Sequence, residues 1–457
     1  MMVRVLVPSG ALGLDYDKGA LARGVTMQPD LIAIDGGSTD SGPSYLGRGV
    51  SKYSRASTKI EWQGLIAARA TAGCPLVIGT AGTCGADQAV DWLVDLTKEI
   101  LAELGQTAKI AILKSGQPPE GIVQALSNGR VTPLAGAPVV DAETIAACTN
   151  IVALAGAEQI QAALNTGADI IIAGRCTDTA LIAALPLMRG CHPGAAWHGA
   201  KIGECGALCA TRPQTGVILL DFDDTGFTVQ PLAEGAKATP HTVSAHMLYE
   251  NSDPFILHEP GGHLDVHGAE YVQLRDGAVR VTGARWVPSQ TYTVKLEGAR
   301  LSGYQTVALT LIRDAQYVTQ ADQWCADIIA RCTAKALDRL DIAADDFTIE
   351  LRQIGRNATL GPLEHRDHLP IELGVLAMVT APTAALAEEI AKMLNPYLLH
   401  HPLTEEEEVP TFAFPFSPAE ISRGAVYEFC LHHVMTLDDP MSAFRLNVLE
   451  MADAEAG

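Results

Sequence analysis

The stretch DIIIAGRCTDTA, residues 169–180, joins an apolar run to an arginine and to the polar start of a helix. Three isoleucines and an alanine in succession are typical of a strand buried on both faces of a parallel sheet. Thr177 or Asp178 can cap a helix that follows directly. The stretch therefore predicts one strand-to-helix unit of an α/β fold, with Arg175 just past the strand.

Similar units recur on both sides of this stretch. Apolar runs alternate with helical patterns such as ADQAVDWLVDLTKEILAELG through the first half of the chain. This alternation predicts a mostly parallel sheet with helices on both faces. The runs interpreted as strands are VRVLVP, LIAID, PLVIG, KIAIL, IVALA, DIIIAG and GVILLD.

The pattern changes after about residue 225, where runs such as TYTVKLEGA and TVALTLIRD alternate apolar and polar residues. Such alternation is typical of antiparallel strands. The order of strands and helices that follows predicts a smaller α+β domain of the ferredoxin-like type. We expect a Rossmann-like α/β domain over 1–285, an α+β domain over 286–401, and an arm with a docking tail over 402–457.

Composition limits the function classes. The net charge of −21 over 457 residues argues against nucleic acid and anionic membranes as partners. No apolar run approaches the roughly 18 residues of a transmembrane helix, and the first residues lack a signal-peptide pattern. The ten cysteines contain no CxxC pair, so we expect reduced thiols in a cytoplasmic protein.

Polar loops follow four of the predicted strands. Because the carboxyl ends of parallel strands meet at one edge of a sheet, these loops predict a polar crevice there. Glycine, serine, threonine and aspartate are also the ordinary residues of tight turns and helix caps, which is the alternative for each loop. The loops contribute Ser38, Asp40, Thr80, Gly82, Thr83, Asp87, Lys114, Arg175 and Asp178.

Arg175 is the most specific of these residues. An arginine directly after a buried strand is costly unless it faces a carboxylate or a phosphate. It is therefore expected to hold an anionic substrate, the alternative being an ion pair with Asp178. The loop GTAGTCGADQ is neither GxGxxG nor a P-loop, so nucleotide binding has little support and the cofactor is unknown.

The stretch AAWHGAKIGECGALCA, residues 195–210, predicts a helix. His198, Lys201 and Cys205 would then share one face, with Glu204 three residues after Lys201. The functional hypothesis is proton transfer by these groups. The alternative is a surface Lys201–Glu204 pair with Cys205 in the core.

Two further stretches carry histidines. HEPGGHLDVHGAEY offers His258, His263 and His267, but it is not HExxH and its glycines and proline break a helix. A divalent metal is possible there and not favoured, and exposed loop histidines are the preferred interpretation. The tail RGAVYEFCLHHVM could bring residues to the crevice or only pack the tail, namely Arg423, Tyr427, His432 and His433.

Seven motifs in order resemble the acyclic terpene utilization (AtuA-like) family: GGSTDSGPSYLG, GTAGTCGAD, GRCTDTA, WHGAKIGECGA, EPGGHLDV, YTVKLEGA and RGAVYEFCLHHV. The resemblance spans about residues 3–448, and it implies a cytoplasmic catabolic protein without implying an established reaction. The three histidines at 258, 263 and 267 depart from the family pattern. Matching positions are Asp40, Gly42, Pro43, Arg175, Asp178, His198, Lys201, Glu204, Cys205, Glu259 and Lys295.

These observations favour a lyase, specifically a hydro-lyase that acts on a small unsaturated or hydroxy carboxylic acid or its acyl-CoA. Such a reaction needs one group to hold the acid and two to move protons. We expect proton transfer by His198 with Glu204 or Lys201, while Asp40 and Asp178 orient these groups or bind water. The predicted substrate-binding residues are Arg175, Ser38, Thr80, Gly82, Thr83, Lys114, Glu259 and Lys295.

Two alternatives remain open. The chain could be a hydrolase or transferase with Cys205 or Lys201 as nucleophile. It could also be a non-catalytic ligand-binding subunit of a degradation complex. A homo-oligomer is expected, because the apolar segment TFAFPF of the arm would otherwise be exposed.

Overall fold

The computed structural model describes residues 2–366 and 368–451. Its contacts divide the chain into a larger unit, which comprises the residues up to Arg300 and those from Phe429 onward, and a smaller unit, Leu301–Glu428. These limits do not coincide with the predicted boundaries at 285/286 and 401/402. Each limit falls inside a long uninterrupted strand, Tyr292–Ile312 or Glu420–Leu437, where no linker marks a domain boundary. Met1, Asp367 and residues 452–457 of the predicted domains lie outside the described residues.

Strands and helices alternate through the first half of the chain, as predicted. The strands are β1 (Val3–Val7), β2 (Leu31–Asp35), β3 (Leu76–Gly79), β4 (Lys109–Lys114), β5 (Val131–Pro133), β6 (Cys148–Ala153), β7 (Ile170–Ala173), β8 (Ile218–Phe222), β9 (Gly226–Pro231), β10 (Ile256–Glu259), β11 (Gly262–Asp265), β12 (Glu270–Gln273), β13 (Val279–Thr282), β14 (Arg285–Pro288), β15 (Tyr292–Ile312), β16 (Thr348–Ile354), β17 (Leu373–Ala381), β18 (Glu420–Leu437) and β19 (Arg445–Glu450). The α-helices are α1 (Lys18–Thr26), α2 (Pro43–Arg48), α3 (Arg55–Ala72), α4 (Asp87–Leu104), α5 (Pro119–Ser127), α6 (Ala142–Ala146), α7 (Ala157–Leu164), α8 (Asp178–Met188), α9 (Pro193–Gly203), α10 (Pro240–Ala245), α11 (Ala315–Thr319), α12 (Ala321–Arg339) and α13 (Ala384–His400).

One large sheet organises the larger unit. Its centre is parallel, with neighbouring strands in the order β1-β2-β3-β7-β4. Antiparallel strands extend both edges, β8 beside β1 and β19 beside β4. The predicted α/β class with a parallel sheet is confirmed, although the run GVILLD forms an antiparallel strand and the run IVALA pairs with β15 instead of joining this sheet.

The continuous apolar runs are explained by burial on both faces of the sheet. Along β2, Leu31 and Ala33 face one core while Ile32 and Ile34 face the other. Helices α7, α8 and α9 cover the first face, and α1, α3 and α4 cover the second. At about 25 cal/mol for each Å² of buried apolar surface, these two cores are the main source of stability in the unit.

The smaller unit has the predicted ferredoxin-like topology. Its strands lie in the order β16-β17-β15-β18, and α12 and α13 pack on them around Trp324. The segment TFAFPF is not simply exposed, because Phe412 and Phe414 pack against this core and only Phe416 is largely exposed. The reason given for a homo-oligomer is therefore weaker, and the oligomeric state stays a prediction. Across both units, none of the described helices is long and apolar enough to cross a membrane.

Candidate active site

A cavity of about 490 Å³ lies in the larger unit, at the carboxyl ends of β1, β2 and β7. In open α/β sheets this edge is where ligands bind. The cavity therefore occupies the place that the polar loops predicted. Its wall contains Ser9, Gly10, Ala11, Leu14, Asp15, Asp35, Gly37, Ser38, Lys52, Tyr53, Asp178, Cys205, Leu208, Pro213, Gln214, Gly216, Tyr249 and Glu250.

Asp35 is the last residue of β2 and is 5% exposed. Its Oδ2 accepts a hydrogen bond from the backbone N–H of Gly37 at 2.9 Å, whereas its buried Oδ1 has no hydrogen-bond partner. Burial and the neighbouring charge of Asp178 raise the pKa of the Asp35 carboxyl. A buried oxygen without a partner in a cavity wall points to a missing ligand group.

Asp178 is the first residue of α8. The helix is capped by Thr177, whose hydroxyl accepts a hydrogen bond from the N–H of Ala180 at 3.3 Å, so Asp178 is not needed as the cap. Its carboxyl group is surrounded by protein although the residue is partly exposed to the cavity. Burial raises its pKa to about 6. Asp178 is thus a carboxyl group in the cavity wall, as the sequence predicted.

Backbone strain is concentrated around the cavity. Asp15 and Glu250, which line it, have φ of 63° and 51°. Thr80, at φ 46°, and Thr83, at φ 71°, lie in the loop after β3, where Thr83 approaches Gly37 of the wall. Left-handed backbone is unfavourable for side chains with a Cβ, and above all for threonine. Such residues cluster at functional sites because the surrounding structure must hold them there.

Arg175 is committed to a partner inside the protein. Its Nε donates to Glu297 Oε2 at 2.9 Å and its Nη2 to Oε1 at 3.4 Å. Glu297 also accepts from Lys295 Nζ at 2.8 Å, and both members of the Arg175–Glu297 pair are buried. Burial would raise the pKa of Glu297, but Arg175 and Lys295 lower it to about 2.

This arrangement argues against the predicted role of Arg175 and Lys295 as substrate holders, because neither side chain lines the cavity. The alternative pair of Arg175 with Asp178 is also not formed, since the direct partner is Glu297. Glu297 was not among the predicted site residues, although it stands two residues after Lys295 in YTVKLEGA.

The loop after β3 packs against Arg175. Thr80 Oγ1 accepts from Arg175 Nη1 at 3.3 Å. A Cβ at Gly85 would lie 2.2 Å from the backbone nitrogen of Arg175, and its φ is +65°. Glycine is therefore required at this close approach. Thr80, Gly82 and Thr83 are buried behind the wall and do not line the cavity.

The predicted helix over 195–210 ends early. Helix α9 stops at Gly203, so Cys205 lies beyond it and does not continue the face of His198 and Lys201. Lys201 Nζ donates to Glu204 Oε1 at 2.5 Å and to the carbonyl oxygen of Tyr249 at 2.7 Å. Both side chains are buried, so the alternative of a surface Lys201–Glu204 pair is wrong. Burial raises the pKa of Glu204 to about 8.

Cys205 and Tyr249 meet in the cavity wall. Burial and the charges of Glu204, Asp178 and Glu250 raise the pKa of the Cys205 thiol. Burial also raises the pKa of the Tyr249 phenol, whose ring stacks on His246 with centroids 5.3 Å apart. At neutral pH the wall therefore carries a protonated thiol and a protonated phenol.

His198 lies away from the cavity wall. It is fully buried, its ring packs edge-on against Phe227, and its Nε2 lies 3.3 Å from the hydroxyl of Tyr271. Burial lowers its pKa to about 3, so the imidazole is neutral. This placement argues against the predicted proton transfer by His198 and favours a packing role.

The histidine stretch forms a hairpin of β10 and β11, in which His258 and His263 are paired residues. His267 instead contacts Asp265 at 2.8 Å. Within residues 2–366 and 368–451, no group of three or more His, Cys, Asp or Glu side chains is arranged as a metal site. Glu259 is near α8, where it accepts from the Thr179 hydroxyl, and burial raises its pKa to about 7.

The remaining predicted residues are dispersed. Ser38 lines the cavity, and Asp40 is exposed nearby, where its charge acts on Asp178. Lys114 forms a surface ion pair with Asp91 at 2.7 Å, outside the cavity. The tail residues do not line the cavity either: Arg423 and Tyr427 belong to the smaller unit, and His432 and His433 lie on β18.

Several residues of the cavity wall were not predicted, notably Lys52, Tyr249 and Glu250. Lys52 is exposed, donates to Ser41 Oγ at 2.7 Å and lies 5.0 Å from the ring centroid of Tyr53. These residues stand in loops far from the strand ends that guided the prediction. The segments SKYSR and LYENS, which contain these residues, show neither a helix or strand periodicity nor a known motif.

The fold and the cavity define an α/β protein with a carboxyl-rich site at the strand ends, joined to a ferredoxin-like unit. The family model of the acyclic terpene utilisation family protein AtuA matches residues 65–190 and 223–416, and the chain belongs to this family. The matched segments include Arg175, Asp178 and Tyr249 but not the stretch from His198 to Cys205. Searches of curated proteins and of solved structures found no match.

Proposed function

We propose that the protein acts in acyclic terpene utilisation as a hydro-lyase on a small unsaturated or hydroxy carboxylic acid or its acyl-CoA. The family description supports the general role. The specific reaction is supported by one cavity that brings together a phenol, carboxylates and a lysine, which are Tyr249, Glu250, Asp178 and Lys52. These are the groups that addition or removal of water beside a carboxylate requires.

The roles follow from the side chains. Lys52 at the exposed rim holds the carboxylate or thioester end of the substrate by its positive charge. Glu250 removes a proton from the carbon next to that group, and Tyr249 gives its proton to the departing hydroxyl. A hydroxy acid thereby yields an unsaturated acid and one water molecule. The strained backbone at Glu250 supports its functional role.

Nucleophilic catalysis has less support. A thiol attacks as the thiolate, and the raised pKa of Cys205 disfavours that form. Lys201 is buried and donates to Glu204 and to the Tyr249 carbonyl. Lys201 therefore serves to fix Tyr249 and its loop rather than to attack a substrate.

A ligand screen followed by a turnover assay tests the proposal. Thermal shift with branched hydroxy acids, their unsaturated counterparts and the corresponding acyl-CoAs identifies a ligand, because binding stabilises the folded state. Turnover is then followed by ultraviolet absorbance of the conjugated double bond. Tyr249→Phe is expected to reduce kcat by about 100-fold or more, with the ligand-induced thermal shift retained.

The matched control is Tyr304→Phe, which removes a phenol in the smaller unit and should leave kcat unchanged. Full activity of Tyr249→Phe would contradict the assignment of the proton donor. A ligand that binds without turnover, together with co-purification of an unlike subunit, would instead favour the binding-subunit alternative.

A further inference from the structure

The cavity wall is strongly acidic. Asp15, Asp35, Asp178 and Glu250 all line it, against the single lysine at its rim among the described wall residues. A concave surface with this charge repels an anionic substrate. A bound cation would offset this charge and favour entry of a carboxylate ligand into the deep part of the cavity.

Asp35 supplies a second and independent indication. Asp35 lines the cavity wall, and only 5% of the residue's surface is exposed. Its Oδ1 has no hydrogen-bond partner. A buried carboxylate oxygen that lacks a partner is destabilising unless a ligand satisfies it. The remaining oxygen of Asp35 already accepts from Gly37, so Oδ1 is the atom with spare capacity.

The wall offers mainly oxygen donors. Besides the carboxylates, Ser9 and Ser38 contribute hydroxyls, whereas burial raises the pKa of the Cys205 thiol and disfavours the thiolate that a metal would require. Oxygen ligands suit Mg²⁺, Mn²⁺ and Ca²⁺ rather than Zn²⁺. Mg²⁺ in particular is held by one or two carboxylates, with water and substrate completing its shell. A cluster of three acidic or histidine ligands is thus not needed.

We propose that Asp35 and Asp178 bind a divalent cation of the Mg²⁺ class in this cavity. The cation would satisfy Asp35 Oδ1, offset the acidic wall and accept the carboxylate or hydroxyl oxygen of the substrate as a further ligand. Binding of the cation stands on its own, whereas its contact with substrate rests on the proposed function. Asp178 at the first turn of α8 and Asp35 at the end of β2 stand on rigid elements, as a metal site requires.

Mn²⁺ binding to the full chain, stripped with EDTA, tests the proposal. Electron paramagnetic resonance should show one saturable site, from which excess Mg²⁺ displaces Mn²⁺. Asp178→Asn and Asp35→Asn should each weaken Mn²⁺ binding by roughly tenfold or more. The control Asp95→Asn makes the same charge change on the exposed face of α4 and should bind Mn²⁺ like the parent chain.

Absence of saturable Mn²⁺ binding, or unchanged affinity in Asp178→Asn, would overturn the proposal. Circular dichroism checks the fold, and if Asp35→Asn does not fold, the partly exposed Asp178 decides the question. No substrate is present in this measurement. In the separate turnover assay, saturable Mn²⁺ binding without turnover of any tested acid or acyl-CoA counts against the proposed reaction alone. Undiminished turnover after EDTA treatment counts against the contact between cation and substrate.

Discussion

Arg175 and Glu297 form a buried ion pair across 122 residues of sequence, with Nε and Oε2 2.9 Å apart. The pair joins the end of β7 to the long strand β15 directly behind the cavity loops. Lys295 and Thr39 also donate to the same carboxylate, at 2.8 Å and 3.2 Å. A charge pair with several hydrogen bonds of this kind fixes the loop geometry around it.

Glu297→Gln should destabilise the protein by about 3 kcal/mol, because it removes the hydrogen-bonded counter-charge of the buried Arg175 guanidinium. Urea denaturation followed by tryptophan fluorescence measures this loss. Glu103→Gln removes an exposed partner of Lys59 and should cost less than about 1 kcal/mol. An equal loss in the free energy of unfolding for both variants would show that the buried pair stabilises the protein no more than an exposed pair does.

His198→Phe should make stability less sensitive to acid. Burial lowers the pKa of His198 to about 3, whereas an unfolded histidine titrates near about 6.5. In that window the unfolded chain binds a proton that the folded chain does not, so stability falls as the pH falls from 6.5 towards 3. Between about pH 7 and about pH 5 the variant should lose about 2 kcal/mol less than the parent chain.

Denaturation curves at the two pH values provide this comparison. His258→Phe makes the same side-chain change at an exposed position and is the matched control. The same ligand-induced thermal shift in His198→Phe and in the parent chain would agree with a packing role. Loss of ligand binding in a folded variant would restore His198 to the site.

Glu250→Gly should stabilise the fold while abolishing turnover. Glu250 holds φ 51°, which glycine adopts without the Cβ penalty, so a gain of about 1 kcal/mol is expected. The control Asp95→Gly lies inside α4 and should instead cost about 1 kcal/mol. A destabilised Glu250→Gly chain would show that the strained conformation is held by contacts of Glu250 itself.

Cys205 should react slowly with iodoacetamide at neutral pH, because its raised pKa keeps the thiol protonated. Intact-mass analysis with peptide mapping follows the modification, and the rate should rise steeply with pH. Rapid stoichiometric labelling of Cys205 at neutral pH would revive the nucleophile alternative. Cys205→Ser provides the blank for this assay.

The fold class could be predicted from local patterns of residues. The runs LIAID and DIIIAG carry apolar side chains at successive positions, which predicts strands that are buried on both faces of a sheet. The two cores confirm this prediction. The change to alternating patterns likewise predicted the ferredoxin-like unit. Periodicity is a local property, and it is therefore visible in the sequence without knowledge of distant contacts.

The partners and surroundings of the site residues depend on tertiary contacts. Asp178 and Ser38 could be predicted because they follow strands, but the partner of Arg175 could not, since Glu297 is brought to it by a strand 122 residues away. The left-handed backbone at Glu250 and the early end of α9 before Cys205 also depend on surrounding packing. Burial and long-range ion pairing set which charges face the cavity, and neither is encoded in the spacing of residues along the chain.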